Sequence, residues 1–245
     1  MAPGSEKIEL SVVVPAFDEQ DRIEATLERT LGYLAEHRPS SEVIVVDDGS
    51  SDYTAARVEA VAARQPRLSL IRLPQNRGKG AAVRTGMLAA RGEKLLFMDA
   101  DLATPIEEIE KLEPPLVAGA DVVIGSRGLR ESDIRKRQPL PRELMGRTFN
   151  VIVRSLLLGG FKDTQCGFKL FTRAAAQDLF GNQILDGFAF DVEVLLLAKE
   201  RGYDVREVPV VWYHAPNSKV SPVTDASRMF VDLLKLRVRR LVGKL

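Results

Sequence analysis

Leu95-Leu96-Phe97-Met98-Asp99-Ala100-Asp101 decides the fold: an unbroken apolar run ends abruptly in two carboxylates two residues apart. A continuous run of this kind fits a strand covered on both faces, as in a parallel sheet flanked by helices. In open α/β sheets, ligands collect outside the carboxyl ends of the strands. Two aspartates placed there can converge on one hard divalent cation, Mg²⁺ or Mn²⁺, that bridges diphosphate oxygens. Taken alone, the pair would equally suit a solvated turn.

The same pattern recurs on either side. Leu10-Ser11-Val12-Val13-Val14 leads into Pro15-Ala16-Phe17-Asp18-Glu19, and Glu42-Val43-Ile44-Val45-Val46 leads into Asp47-Asp48-Gly49-Ser50-Ser51-Asp52. Further strands are expected at Leu68–Arg72, Asp121–Ile124 and Val208–Trp212, with amphipathic helices between, which predicts βαβ units and a mainly parallel sheet. Three acidic strand ends on one rim demand a counter-charge. A metal ion and the hydroxyl or imide groups of a nucleoside would supply it, because a carboxylate only accepts hydrogen bonds. Thr104-Pro105-Ile106-Glu107 predicts a helix start, with Thr104 as cap and Glu107 closing a capping box.

Asn76-Arg77-Gly78-Lys79-Gly80 lies between the third strand and the next helix. Its glycines would let the backbone approach a ligand closely, with Arg77 and Lys79 facing phosphate or a nucleoside. A dinucleotide fingerprint is excluded on spacing, since Val83 stands where the third glycine should and the motif does not follow the first strand. No P-loop ending is present either.

The 245 residues, 45% hydrophobic and 28% charged, fit one α/β domain spanning the whole chain. Thirty-five Lys and Arg balance 34 Asp and Glu, so there is no global basic field to draw the chain onto nucleic acid. Cys166 is the single cysteine, which excludes an internal disulfide and favours a cytoplasmic setting. Residues 1–7 lack the basic start and apolar stretch of a signal peptide. No run reaches the roughly 18 to 20 apolar residues that cross a bilayer, so a membrane would be met from its surface.

The second half reads differently. Arg127 to Arg147 is basic and carries Pro139 and Pro141, which predicts a loop leading into a helix over 144–158. Another helix is expected from Asp191 to Arg201. Residues 226–245 have helical periodicity, with Phe230, Leu233, Leu234, Val238, Leu241 and Leu245 on one face and Arg228, Lys235 and Arg239 on the other. Both an ordinary packing helix and a basic interfacial helix on anionic lipid fit that pattern.

Taken together and in order, the runs at 11–19, 45–52, 76–80 and 99–101 resemble glycosyltransferase family 2, whose members have the GT-A fold, a Rossmann-like three-layer α/β/α sandwich. Gly125-Ser126-Arg127, Asp163 to Phe171 and Phe188 to Glu193 resemble its polyprenyl-phosphate branch, in particular the dolichyl-phosphate glucosyltransferases. The resemblance covers nearly the whole chain. It implies inverting transfer of a hexose, with glucose from UDP-glucose foremost, onto polyprenyl phosphate at the cytoplasmic face of a membrane. By that resemblance Pro15, Ala16, Asp18 and Glu19 border the nucleotide, Asp48 and Lys79 contact it, and Asp99 and Asp101 hold metal and diphosphate. Arg127 and Arg142 are implied to bind the acceptor phosphate. Gln165, Asp191 and Glu193 are implied to contact the sugar, with Asp191 standing where many relatives place a catalytic carboxylate. The related mannosyltransferases carry a metal-contacting glutamine where this chain has Ala103, which leaves a third protein ligand open. Mannose or N-acetylhexosamine donors, and a nucleotide-binding oxidoreductase or binding module, remain the alternatives, and the oligomeric state is not legible.

Overall fold

A computed structural model describes residues 7–136, 140–214 and 224–243; the side chains of residues 136, 140–145 and 147 are not described. In chain order the elements are β1 (Leu10–Ala16), α1 (Ile23–His37), β2 (Ser41–Asp47), α2 (Thr54–Ala62), β3 (Leu68–Arg72), α3 (Lys79–Ala89), β4 (Lys94–Met98) and α4 (Ile109–Val117). Then follow β5 (Val122–Ser126), β6 (Asp133–Lys136), α5 (Leu140–Leu156), β7 (Phe168–Thr172), α6 (Arg173–Asn182), α7 (Phe190–Glu200), β8 (Val205–Pro209), β9 (Val211–Tyr213) and α8 (Thr224–Leu241).

Seven strands form one sheet in the order β3-β2-β1-β4-β7-β5-β8. Every pairing is parallel except those of β7, which runs antiparallel between β4 and β5. Because side chains alternate across a strand, Val13 joins the apolar cluster on one face while Val12 and Val14 join the other. The same split places Phe97 on one side of β4, and Leu96 and Met98 on the other. Helices cover both clusters, giving the expected three-layer α/β sandwich. β1, β2 and β4 all point their carboxyl ends to one edge, so residues 17–19, 47–48 and 99–101 share a rim.

Several expectations are corrected. The run 208–212 is not one strand: Pro209 ends β8 in the main sheet, and Val211–Tyr213 pairs with β6 in a separate two-stranded sheet. Proline cannot donate to a ladder, which suits a strand end. Thr104 does not cap a helix; the chain first makes a 3₁₀ turn over Ile106–Glu108, and Glu107 pairs with Arg29 instead of closing a capping box. The helix expected over 144–158 begins at Leu140, where Pro141 fits the first turn. In α8 the packed face is Met229, Leu233 and Leu236, whereas Phe230, Leu234, Val238 and Leu241 point outward; Leu245 lies outside the described residues.

Candidate active site

A cavity of about 850 Å³ opens at this rim. Pro15, Ala16 and Glu19 from the end of β1, Asp48 from β2, and Asp99 and Asp101 from β4 all line it. Asp18 does not. Its backbone is left-handed at φ 51°, and its carboxylate accepts from the Ser51 amide at 2.8 Å, so it ties the β1 loop to the β2 loop. Glu19 pairs with Arg22, whose Nη2 lies 2.7 Å from Oε1.

Asp48 is an organiser of backbone. Its two oxygens accept from the amides of Arg77 at 2.9 Å and Gly78 at 2.8 Å, which fixes the turn into α3. Burial pushes its carboxyl above the usual range despite those two donors. The glycines of this turn make room for the chain's own backbone. A Cβ on Gly78, where φ is +110°, would lie 2.5 Å from the Asp186 carbonyl oxygen, and one on Gly80 would lie 2.5 Å from that of Leu185. Both admit the 185–187 backbone, and Gly78 also lines the cavity.

Lys79, at the start of α3, places its Nζ 2.6 Å from Asp99 Oδ1 and 5.5 Å from the centre of the Phe97 ring. Burial works against its charge, yet Asp99 and then Asp191 outweigh this and raise its pKa. Asp101 follows two residues on, with Oδ1 accepting from the Ala103 amide at 2.9 Å across a left-handed Leu102 at φ 52°. Burial and the neighbouring Asp99 charge both push Asp101 above the ordinary carboxylate range. Such a shift marks a carboxylate short of positive charge. The antiparallel β7 reaches Asp99 from behind: the Asp99 amide donates to the Gly167 carbonyl at 3.0 Å. A Cβ on Gly167 would sit 2.0 Å from Asp99 Oδ2, so only glycine leaves room for that carboxylate.

The donor set fits a hard divalent cation. Among the described residues no group of three acidic, His or Cys side chains could enclose a metal. Two carboxylates with water and substrate phosphates completing the shell is the usual arrangement for Mg²⁺. Asp101, electron-rich and beside Asp99, suits that role.

Arg127, Gln165, Asp191 and Glu193 lie behind or beside the cavity rather than in its lining. Asp191 is buried and paired with Lys169, whose Nζ is 2.5 Å from Oδ1 and 2.7 Å from the Cys166 carbonyl. Burial pushes the Asp191 carboxyl up against the pull of Lys169. Glu193 accepts from the amides of Ile184 at 3.0 Å and Leu185 at 2.8 Å, holding the loop that brings Gly187 and Phe188 to the cavity. Gln165 donates its backbone amide to Asp163 at 3.1 Å. Arg127 forks onto Asp163 through Nε at 2.6 Å and Nη2 at 2.9 Å, and lies 5.6 Å from the centre of the Trp212 ring. Burial would raise Asp163, but Arg127 prevails by charge and hydrogen bonds and brings it to about 2. The side chain of Arg142 lies outside the described residues.

Sequence reasoning missed Arg22 and the contribution of α8, which lends Arg228, Met229, Asp232 and Lys235 to the cavity wall. No motif marks these positions; an amphipathic period reveals a helix but not what it faces.

A mixed α/β sheet with a carboxylate rim at its strand ends is the architecture expected of a GT-A glycosyltransferase. Residues 11–180 match the family model described as Glycosyl transferase family 2. The chain is 38% identical over 250 residues to the dolichyl-phosphate beta-glucosyltransferase of Dictyostelium discoideum, covering 97% of this chain and 76% of that one. It is 42% identical to a dolichyl-phosphate beta-glucosyltransferase of Trichomonas vaginalis, covering 92% and 70%, and 37% identical to the human protein of that name, covering 96% and 76%. Among solved structures, glucosyl-3-phosphoglycerate synthase from Mycobacterium tuberculosis in complex with Mn²⁺ and UDP-glucose has a TM-score of 0.68 at 22% identity, covering 94% of this chain and 79% of that one, a likeness of fold. The chain belongs to glycosyl transferase family 2.

Proposed function

We propose that the chain transfers glucose from UDP-glucose to a dolichyl-type polyprenyl phosphate, with inversion at the anomeric carbon and release of UDP. The observation that carries this is the Asp99–Asp101 pair at the cavity rim, in a chain 37–42% identical to enzymes of that name over nearly its full length. Asp101, with Asp99, would hold Mg²⁺ or Mn²⁺, which supplies charge neutralisation to the departing diphosphate. Pro15, Ala16 and the turn ordered by Asp48 border the nucleotide, and Lys79 turns its ammonium toward the diphosphate side of the cavity.

A phosphate monoester has a second pKa of roughly 6, so the attacking oxygen is already charged near neutral pH. It forms the new bond to C1 as the bond from C1 to the UDP oxygen breaks. No general base is needed, and a buried, Lys169-paired Asp191 accords with that. Asp191 and Glu193 then support the sugar subsite from behind, with Gln165 beside Asp163. Arg127 and Arg142 receive the acceptor phosphate; since Asp163 takes Nε and Nη2 of Arg127, the phosphate meets Nη1. The acceptor resides in a bilayer, so the chain works at a membrane surface, and we place it on the cytoplasmic face. Among the described residues no helix is long and apolar enough to cross a membrane.

The test is a panel of UDP- and GDP-sugars offered with short-chain polyprenyl phosphate and Mg²⁺ or Mn²⁺. UDP-glucose should give the fastest UDP release, dependent on both acceptor and metal, and a single inverted anomer. Preference for GDP-mannose or a UDP-N-acetylhexosamine would move the chain to a neighbouring specificity. Release of no nucleotide with any donor would refute transferase chemistry.

A further inference from the structure

α8 is a three-sided helix. One side, Met229, Leu233 and Leu236, is buried against the body. A second contributes Arg228, Asp232 and Lys235 to the cavity wall. The third carries Phe230, Leu234, Val238 and Leu241, exposed by 43%, 44%, 59% and 74%. At 3.6 residues per turn these four fall within roughly a quarter of the helix circumference, forming one outward stripe. Val231 and Val242, also exposed, extend it toward the cavity side.

The charges beside this stripe identify what it would touch. Arg228 and Lys235 border it on the cavity side, with side chains 81% and 59% exposed although each pairs with an acid three residues before it, Asp225 at 4.0 Å and Asp232 at 2.8 Å; exposed Arg237, which also donates to the Leu156 carbonyl, borders it on the other. The two acids of the helix, Asp225 and Asp232, lie off the stripe, at the cavity. An apolar stripe with cations along both edges complements acyl chains below and anionic head groups above. A second copy of the same face fits poorly, because an antiparallel meeting of two such stripes sets the Arg228–Lys235 edge of one against that of the other, and Asp225 and Asp232 are already taken by those cations within each copy.

We propose that α8 docks on an anionic lipid surface through Phe230, Leu234, Val238 and Leu241, with Arg228, Lys235 and Arg237 meeting the head groups. Arg228, Val231 and Lys235 belong to both the stripe's edge and the cavity. Docking therefore sets the cavity mouth at the head-group plane, where a lipid-borne phosphate would enter. The inference deepens the membrane-surface part of the function proposed above and rests on it for that consequence.

Sedimentation with phosphatidylcholine vesicles, with and without phosphatidylglycerol, tests it. The wild type should bind the anionic vesicles and release them as salt rises. The triple variant Phe230→Ser/Leu234→Ser/Val238→Ser should bind them at least about tenfold more weakly, with unchanged circular dichroism and unchanged UDP release toward a water-soluble short-chain polyprenyl phosphate. Equal vesicle binding by variant and wild type would overturn the proposal. So would a wild-type dimer in solution that the triple variant makes monomeric, since the stripe would then be covered by a second copy. Loss of vesicle binding in a chain that transfers glucose to no polyprenyl phosphate would sink the acceptor assignment and leave the docking surface standing.

Discussion

Lys79 Nζ lies 2.6 Å from Asp99 Oδ1, so a lysine from the first turn of α3 neutralises one member of the carboxylate pair at the end of β4. Asp101 is the member left with raised pKa, from burial and then from Asp99. Replacing Lys79 with Met removes the cation nearest the pair and drives Asp101 higher still. The acid limb of kcat/KM should move to higher pH, because Asp101 must be ionised to hold the cation and loses a nearby positive charge in the variant. Donor KM should also rise. A Lys79→Met enzyme with an unshifted acid limb would show that Lys79 does not set the charge of the pair.

Gly167 leaves no room for a side chain against Asp99. Gly167→Ala would place a methyl 2.0 Å from Oδ2 and 2.2 Å from Cγ, so the carboxylate must swing away. A misplacement of about 1 Å in a catalytic constellation can cost on the order of a hundredfold, and kcat/KM should fall by that order. Circular dichroism and apparent metal-free stability should change little, since the side chain that moves is at a cavity and not in the core.

Half-buried Arg127 and buried Asp163 form a fork whose rupture is a stability event as well as an acceptor-site event. Arg127→Ala strands a buried carboxylate and should cost about 3–5 kcal/mol in denaturant unfolding. With Asp163 held at about 2 against an ordinary 3.8, the folded state binds fewer protons than the unfolded chain between those values. The contribution is therefore fully present above pH 3.8 and is lost as pH falls toward 2. Asp163→Asn should flatten the stability slope in that window alone; an unchanged slope would contradict the pairing.

Glu193 holds the amides of Ile184 and Leu185, and through that loop it places Gly187 and Phe188 at the cavity. Glu193→Ala leaves two inner amides without their acceptor, a cost of roughly 1–3 kcal/mol each. Donor KM should rise, and Glu193→Gln, which keeps one acceptor, should recover part of the loss. If Glu193 instead contacts the sugar, kcat would collapse in both variants while stability stayed level.

The parallel half of the sheet was legible because β1, β2 and β4 are apolar runs ending in acids, and that pattern alone puts Asp48, Asp99 and Asp101 on one rim. The antiparallel β7 was not, since Phe168-Lys169-Leu170-Phe171-Thr172 carries a buried lysine where a core strand is expected to be apolar; its partner Asp191 comes from 22 residues further on. Asp18 and Glu193 have the right chemistry for ligands, yet Glu193 gives both oxygens to backbone amides and Asp18 gives Oδ1 to Ser51, a choice that only tertiary contacts decide. The apolar residues of α8 were read as one face because periodicity groups them; packing divides them, burying Leu233 and leaving Leu234 outside.

Calorimetric titration of UDP into the chain, with and without Mn²⁺, comparing wild type with Asp101→Asn, bears most directly on the central claim that this carboxylate anchors the metal–diphosphate complex. Mn²⁺ should tighten UDP binding to the wild type by at least about tenfold and should do almost nothing for the variant, whose thermal stability stays intact. Mn²⁺-dependent UDP binding that persists undiminished in Asp101→Asn would contradict it.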